Sequence, residues 1–223
     1  MKTISKTLVF GVVQLVVLGL LLFWPAGTFD YWQAWVLVVL AISTWFSGVY
    51  LLRADPATLE GRTRGGPTAE TRTVQKVAIG GLWLSLATML VVSALDHRFG
   101  WSAVPTAISL VGDVLVAVGL GLPVLVVSQN SYAATTVRVG AAQKVVSTGL
   151  YGLVRHPMYT GNVVMMVGIP LALGSYWGLA FVVPGLIVLA WRLRDEEKLL
   201  QEELDGYREY TQQVRYRLVP GMW

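Results

Sequence analysis

The segment Gly149 to Gly161, GLYGLVRHPMYTG, sets Arg155, His156 and Pro157 in succession at the start of a long apolar run. Pro157 suits the first turn of a helix, where its missing N–H forfeits no hydrogen bond, so Arg155 and His156 fall at a helix entrance. Guanidinium and imidazole in that position can bind an anionic group or orient a nucleobase. Tyr159 adds a stacking face and Gly161 leaves room for close approach. About 35 residues later, where the last apolar run gives out, stand Arg192, Arg194, Asp195, Glu196 and Glu197. Arg192 and Glu196 are four apart and share a helix face, whereas Glu197 points about 100° away. An arginine at a membrane boundary can hold a carboxylate through paired hydrogen bonds, and a neighbouring glutamate can take an ammonium. Each cluster alone also fits a plainer reading, interfacial snorkelling for the first and an intrahelical ion pair with a solvated acidic face, running through Glu202, Glu203 and Asp205, for the second.

The elements that position these clusters are apolar helices. Of the 223 residues 55% are hydrophobic and 13% charged, about half the charged share of a soluble domain, and the mean hydropathy is +0.60. Runs near the length of about 20 residues that a spanning helix needs cover Thr7 to Ala26, Tyr31 to Leu52, Val77 to Leu95 and Thr106 to Val127. A fifth block, Val163 to Leu193, is too long for one span. It carries Pro170 and the turn-like Gly174-Ser175-Tyr176-Trp177-Gly178, and splits into Val163 to Leu173 and Leu179 to Leu193. The expectation is an all-α, multi-pass bundle of about six transmembrane segments, the last two a hairpin that brings the two clusters together.

Basic residues collect on cytoplasmic loops. With the N-terminus inside, 16 of the 17 Lys and Arg residues fall on one face and only Arg98 on the other, which predicts cytoplasmic N- and C-termini. The same pattern accounts for the pI of about 9.4, so no nucleic-acid partner is expected. Lys2 and Lys6 ahead of the first run resemble a signal peptide, but the core is long, ends in Phe23-Trp24-Pro25 and lacks a small-residue cleavage site; it reads as a retained helix. With no cysteine, disulfides, thiolate metal sites and a cysteine nucleophile are excluded, and no metal site is expected.

Residues 1–128 read as an N-terminal four-helix region and 129–223 as a cytoplasmic loop, hairpin and tail forming the reactive part. The loop from Arg53 to Lys76 reads as a solvated connector or a lid over a cytoplasmic site. His97 reads as structural. Asp113, the one carboxylate inside a span, is a functional candidate by position, while Gly112, Ala117, Gly119 and Gly121 favour close helix packing. The polar stretch from Ser128 to Gly149 is long for a loop without a role, and its backbone amides could line a cofactor cavity.

Over about Asn130 to Pro220 the chain resembles the isoprenylcysteine carboxyl methyltransferase family of integral membrane enzymes. The resemblance rests on QKVVSTGLYGLVRHPMYTG, the following hairpin, the DEE triplet at Asp195 to Glu197, and Tyr207, Tyr210, Val214 and Pro220. It implies S-adenosylmethionine as methyl donor and the carboxylate of a prenylated cysteine, or a similar lipophilic acid, as acceptor. By it, Gln143, Lys144, Val145 and Val146 belong to the loop holding the cofactor and Tyr151 is an aromatic contact near it. His156, Pro157, Met158 and Tyr159 match the cofactor segment, Glu196 the cofactor glutamate, and Arg192 the arginine at the substrate carboxylate. Gln143 stands where eukaryotic members often carry histidine, and Asp205-Gly206 where the family has Phe-Gly. An ionised carboxylate needs little acid or base help to accept a methyl group, so positioning carries most of the catalysis. The alternatives are a phospholipid N-methyltransferase, whose amine acceptor must first lose a proton, a nicotinamide-dependent reductase of sterols or other isoprenoids, and a non-catalytic membrane protein.

Overall fold

The computed structural model describes residues 2–54, 70, 72–130 and 143–223, with side chains except those of 2–8, 10 and 45–54. Most of the 53–76 loop, and the 131–142 part of the polar loop with Tyr132 and Arg138, lie outside the described residues. Among the described residues the chain is helical, without strands. The helices are α1 (Lys2–Ala26), α2 (Trp32–Ala54), α3 (Thr73–Phe99), α4 (Thr106–Gln129), α5 (Pro157–Ala172), α6 (Val182–Glu203) and α7 (Tyr207–Gln213). Single 3₁₀ turns at Gly149–Gly152 and Trp177–Phe181 precede α5 and α6.

The helix boundaries follow local chemistry. Gly100 ends α3 in the left-handed conformation (φ 65°), its N–H bonding to the Asp96 carbonyl at 2.8 Å, a geometry that favours glycine. Pro157 occupies the first turn of α5, as the sequence implies. The long fifth apolar block breaks where expected, α5 ending at Ala172 and a turn with Gly174 at φ 70° leading to the 3₁₀ segment.

Among the described residues three stretches are long and apolar enough to cross a membrane: Thr73–Phe99, Thr106–Gln129 and Trp177–Glu203. Shorter apolar stretches cover Gly11–Ala26 and Trp32–Thr44. At 16 residues, α5 is about 24 Å long, short of the hydrocarbon thickness of about 30 Å. Valines, leucines and tryptophans stand exposed along α1, α3, α4 and α6, as on an integral membrane protein whose solvent is lipid. The core, with Leu22, Tyr31, Met89, Val116, Met166 and Leu173, lies where α1 to α5 meet.

The closest helix packing joins α4 and α5 rather than the two arms of the expected hairpin, α5 and α6. A Cβ at Gly168 would come 2.8 Å from Leu115 Cβ and 2.9 Å from Val116 N, and one at Gly119 2.6 Å from Met165 Cβ; at Gly112 it would run into the backbone of Leu171 and Ala172. Small residues let backbones approach this closely. Of the residues expected to pack in this way, Gly112 and Gly119 do. Gly121 has nothing within 4 Å, and Ala117 is exposed. The arms α5 and α6 run antiparallel: Met166 reaches Gly185, and Tyr159 near the start of α5 meets Arg192 towards the end of α6.

Candidate active site at the junction of α5, α6 and the tail

The first turn of α5 presents His156 and Tyr159 to α6, their rings stacked with centroids 5.6 Å apart. On α6, Arg192 Nε donates to the Tyr159 hydroxyl at 3.0 Å, and that hydroxyl donates to Glu196 Oε2. The two expected clusters therefore meet, with Tyr159 as the bridge between Arg192 and Glu196. His156 turns instead to Glu197: its Nε2 lies 3.3 Å from Oε1.

Glu197 is the hub of the site. It is 4% exposed, with Arg155 Nε 3.1 Å and His156 Nε2 3.3 Å from Oε1 and Arg217 Nε 2.8 Å from Oε2. A carboxylate buried at this depth is tolerated only because cations and hydrogen-bond donors surround it. Arg217 comes from the tail, which straps across the entrance of α5: Arg155 N and His156 N donate to the carbonyls of Tyr216 and Arg217, both at 2.9 Å, and Thr160 Oγ1 donates to Leu218 O at 2.7 Å.

A second set of contacts fixes α6 from the start of α3. Arg72 binds Asp195 through two hydrogen bonds, Nε to Oδ2 at 3.0 Å and Nη2 to Oδ1 at 2.6 Å; Gln75 Nε2 reaches Asp195 Oδ2 at 2.6 Å and the Arg192 carbonyl at 3.2 Å. Just before it, the wholly buried carboxylate of Glu70 accepts from Arg192 Nη2 at 3.1 Å.

Below the hub, Leu204, Tyr207, Tyr210 and Val214 form a small core against Val145 and Leu200. Burial pushes the phenols of Tyr207 and Tyr210 well above their ordinary range, so both are donors at neutral pH. Tyr210 donates to the Tyr151 carbonyl at 2.7 Å. The Tyr207 hydroxyl, in the field of Glu197, Glu196 and Arg155, is buried without a hydrogen-bond partner among the described residues.

His156, Tyr159, Arg192 and Glu196 thus converge, with Pro157 setting the helix start. Tyr151 and Met158 pack on Val126 and Val127 at the end of α4, a wall beside the cluster. Val145 belongs to the α7 core. Gln143 and Val146 are partly buried and Lys144 is exposed. Asp113 stands apart on α4, its carboxylate oxygens buried without a hydrogen-bond partner among the described residues. His97 stacks on Tyr31 at 3.8 Å, in keeping with a structural role. The expected preference for Glu196 over Glu197 divides differently: Glu196 binds Tyr159 and Glu197 takes the cations. Spacing does not reveal Glu70, Arg217 or the Arg72–Asp195 pair as part of the site, since their partners lie 20 to 123 positions away.

The site has unfilled capacity of both signs. The second oxygen of Glu196 has no partner among the described residues. Arg155 pairs with Glu197 through Nε at 3.1 Å, and its side chain makes no hydrogen bond among the described residues. With the orphaned Tyr207 hydroxyl, these groups can receive an ammonium, a carboxylate and an acceptor atom, which fits the amino-acid end of S-adenosylmethionine.

The phospholipid methyltransferase family model matches residues 107–205, a span that takes in α4, α5, α6 and every site residue named above from Gln143 to Glu197. The chain is also similar to a delta(14)-sterol reductase of Mus musculus, 30% identical over 95 residues that make up 40% of this chain and 22% of that protein. A probable 7-dehydrocholesterol reductase of Acanthamoeba polyphaga mimivirus is 33% identical over 85 residues, 37% of this chain and 19% of that protein. The chain spans about a fifth of the length of these curated relatives. The family match, over the stretch that carries α5, α6 and the site residues on them, supports a membrane methyltransferase.

Proposed function

We propose that this chain is an S-adenosylmethionine-dependent methyltransferase that crosses the membrane six times with both termini cytoplasmic, and that it methylates the carboxylate of a prenylated cysteine or a similar lipophilic acid. The observation that carries the reading is the junction of Tyr159, Arg192 and Glu196, where a guanidinium and a partly open carboxylate share one hydroxyl at the polar end of an apolar helix. When bound, the sulfonium of S-adenosylmethionine supplies an activated methyl group. Glu196 and Arg155 would hold the amino-acid portion by its two charges, and His156 and Tyr159 would bound the cofactor with their stacked rings. Arg192 would neutralise and orient the acceptor carboxylate. An ionised acceptor has no proton to lose, which agrees with a site whose charged groups are engaged in positioning.

The family match favours a second reading, N-methylation of an aminolipid, and the similarity to sterol reductases a third, with a nicotinamide cofactor. Arg192 favours the carboxylate reading, because a guanidinium can pair with a carboxylate acceptor but gives no counter-charge to an amine, which reacts only after losing its proton. The deciding experiment offers methyl-labelled S-adenosylmethionine to protein in lipid nanodiscs with either N-acetyl-S-farnesylcysteine or phosphatidylethanolamine. Base-labile label on the cysteine derivative is the expected result. Base-stable label on the aminolipid alone would transfer the assignment to the second reading.

A further inference from the structure

Arg192, assigned above to the acceptor carboxylate, already holds one. Its guanidinium is enclosed, with the residue 5% exposed; Nε is spent on Tyr159, and Nη2 meets Glu70 Oε1 at 3.1 Å. Glu70 is wholly buried at the side chain and reaches α6 from the segment ahead of α3. Close to it in sequence, the start of α3 is tied to α6: Arg72 grips Asp195 by two hydrogen bonds and Gln75 binds both Asp195 and the Arg192 carbonyl. A second carboxylate cannot take the Nη2 position while Glu70 occupies it.

We propose that Glu70 is a specificity-determining residue: it occupies the place of the acceptor carboxylate on Arg192, is displaced by an acidic acceptor, and returns when that acceptor has become a neutral ester. The inference rests on the carboxylate reading above. Exchange of one carboxylate for another leaves Arg192 compensated throughout, and Glu70, once released, regains its hydration. A neutral lipid offers Arg192 no counter-charge, and a buried guanidinium without one is strongly disfavoured, so neutral lipids do not dislodge Glu70. Methylation removes the acceptor's charge. The ester then loses to Glu70 the position that the acid had won, which couples product release to the reaction.

The test is titration of detergent-purified protein, saturated with S-adenosylhomocysteine, with N-acetyl-S-farnesylcysteine and with its methyl ester. In E70Q, which keeps the shape of the side chain and loses its charge, the acid should bind about tenfold more tightly, while S-adenosylmethionine binding stays intact. The ester, which also no longer has a charged Glu70 to displace, should tighten by a similar factor, the acid keeping its advantage through Arg192. Should E70Q fail to bind S-adenosylmethionine, E70D carries the test: it keeps the charge on a shorter arm, and the acid should tighten by a smaller factor. Acid affinity that is unchanged or weaker in a variant that still binds S-adenosylmethionine would overturn the role of Glu70 and leave the carboxylate reading standing. Acid binding to neither wild type nor variant, with S-adenosylmethionine still bound, would remove both.

Discussion

The two ends of the bundle carry polar networks of similar extent and opposite character. At the end away from the candidate site, Asp96 is almost wholly buried and accepts from Ser102 N at 2.7 Å, Ser102 Oγ at 2.6 Å and Ser175 Oγ at 2.6 Å. Ser175 Oγ in turn accepts from Gly178 N at 3.0 Å, and Tyr31 donates to the Leu173 carbonyl at 2.7 Å. That network ties the end of α3 to the turn between α5 and α6. At the site end the groups are mainly charged, drawn from four segments, and incomplete at Glu196, Arg155 and the Tyr207 hydroxyl. Near Gly174 and Gly178 three neutral atoms, Gln33 Oε1, Ser93 Oγ and Ser109 Oγ, are also buried without a hydrogen-bond partner among the described residues, so the ends differ in charge. Open capacity among gathered charges points to a ligand, whereas hydroxyls gathered on one satisfied carboxylate point to architecture.

The largest expected effect is at the hub. Glu197→Ala leaves Arg155 and Arg217 without their counter-charge and should lower stability by about 3–5 kcal/mol, with loss of S-adenosylmethionine binding; unfolding in detergent and titration measure the two. At the other end, Asp96→Ala strands three donors and should cost about 2–3 kcal/mol while leaving cofactor affinity in the folded protein within about twofold, a change near 0.4 kcal/mol. Equal damage to cofactor binding from both substitutions would erase the contrast between the ends. Gly168→Ala tests the scaffold between them: forcing α4 and α5 apart should cost about 1–3 kcal/mol, read as a lowered unfolding midpoint. The smallest effect is the sharpest. Glu196→Gln should weaken S-adenosylmethionine about tenfold, or 1.4 kcal/mol, with little change in stability, because this carboxylate is only half engaged by the protein.

Spacing and hydropathy make much of this legible in the sequence. The proline at the head of α5, the break at Gly174 and the meeting of His156 and Tyr159 with the Arg192–Glu197 cluster follow from helix periodicity and the length of the apolar block. Pairings between distant segments do not. Glu196 and Glu197 are adjacent, and which one receives His156 depends on the rotation of α6, fixed by Arg72 and Gln75 on Asp195. The glycines of α4 announce a close neighbour without identifying it as α5. Glu70 and Arg217 lie in polar stretches whose composition resembles that of any solvated loop, and only the fold brings them to the site.

The central claim is that the open groups around Glu196 and Arg155 receive S-adenosylmethionine. Calorimetric titration of detergent-purified protein with S-adenosylmethionine, S-adenosylhomocysteine and NADPH, beside a His156→Ala control, tests it most directly. Saturable binding of the first two that weakens in the control is the predicted result. A response to NADPH with none to S-adenosylmethionine would contradict the account and place the chain with the reductases it resembles over two-fifths of its length.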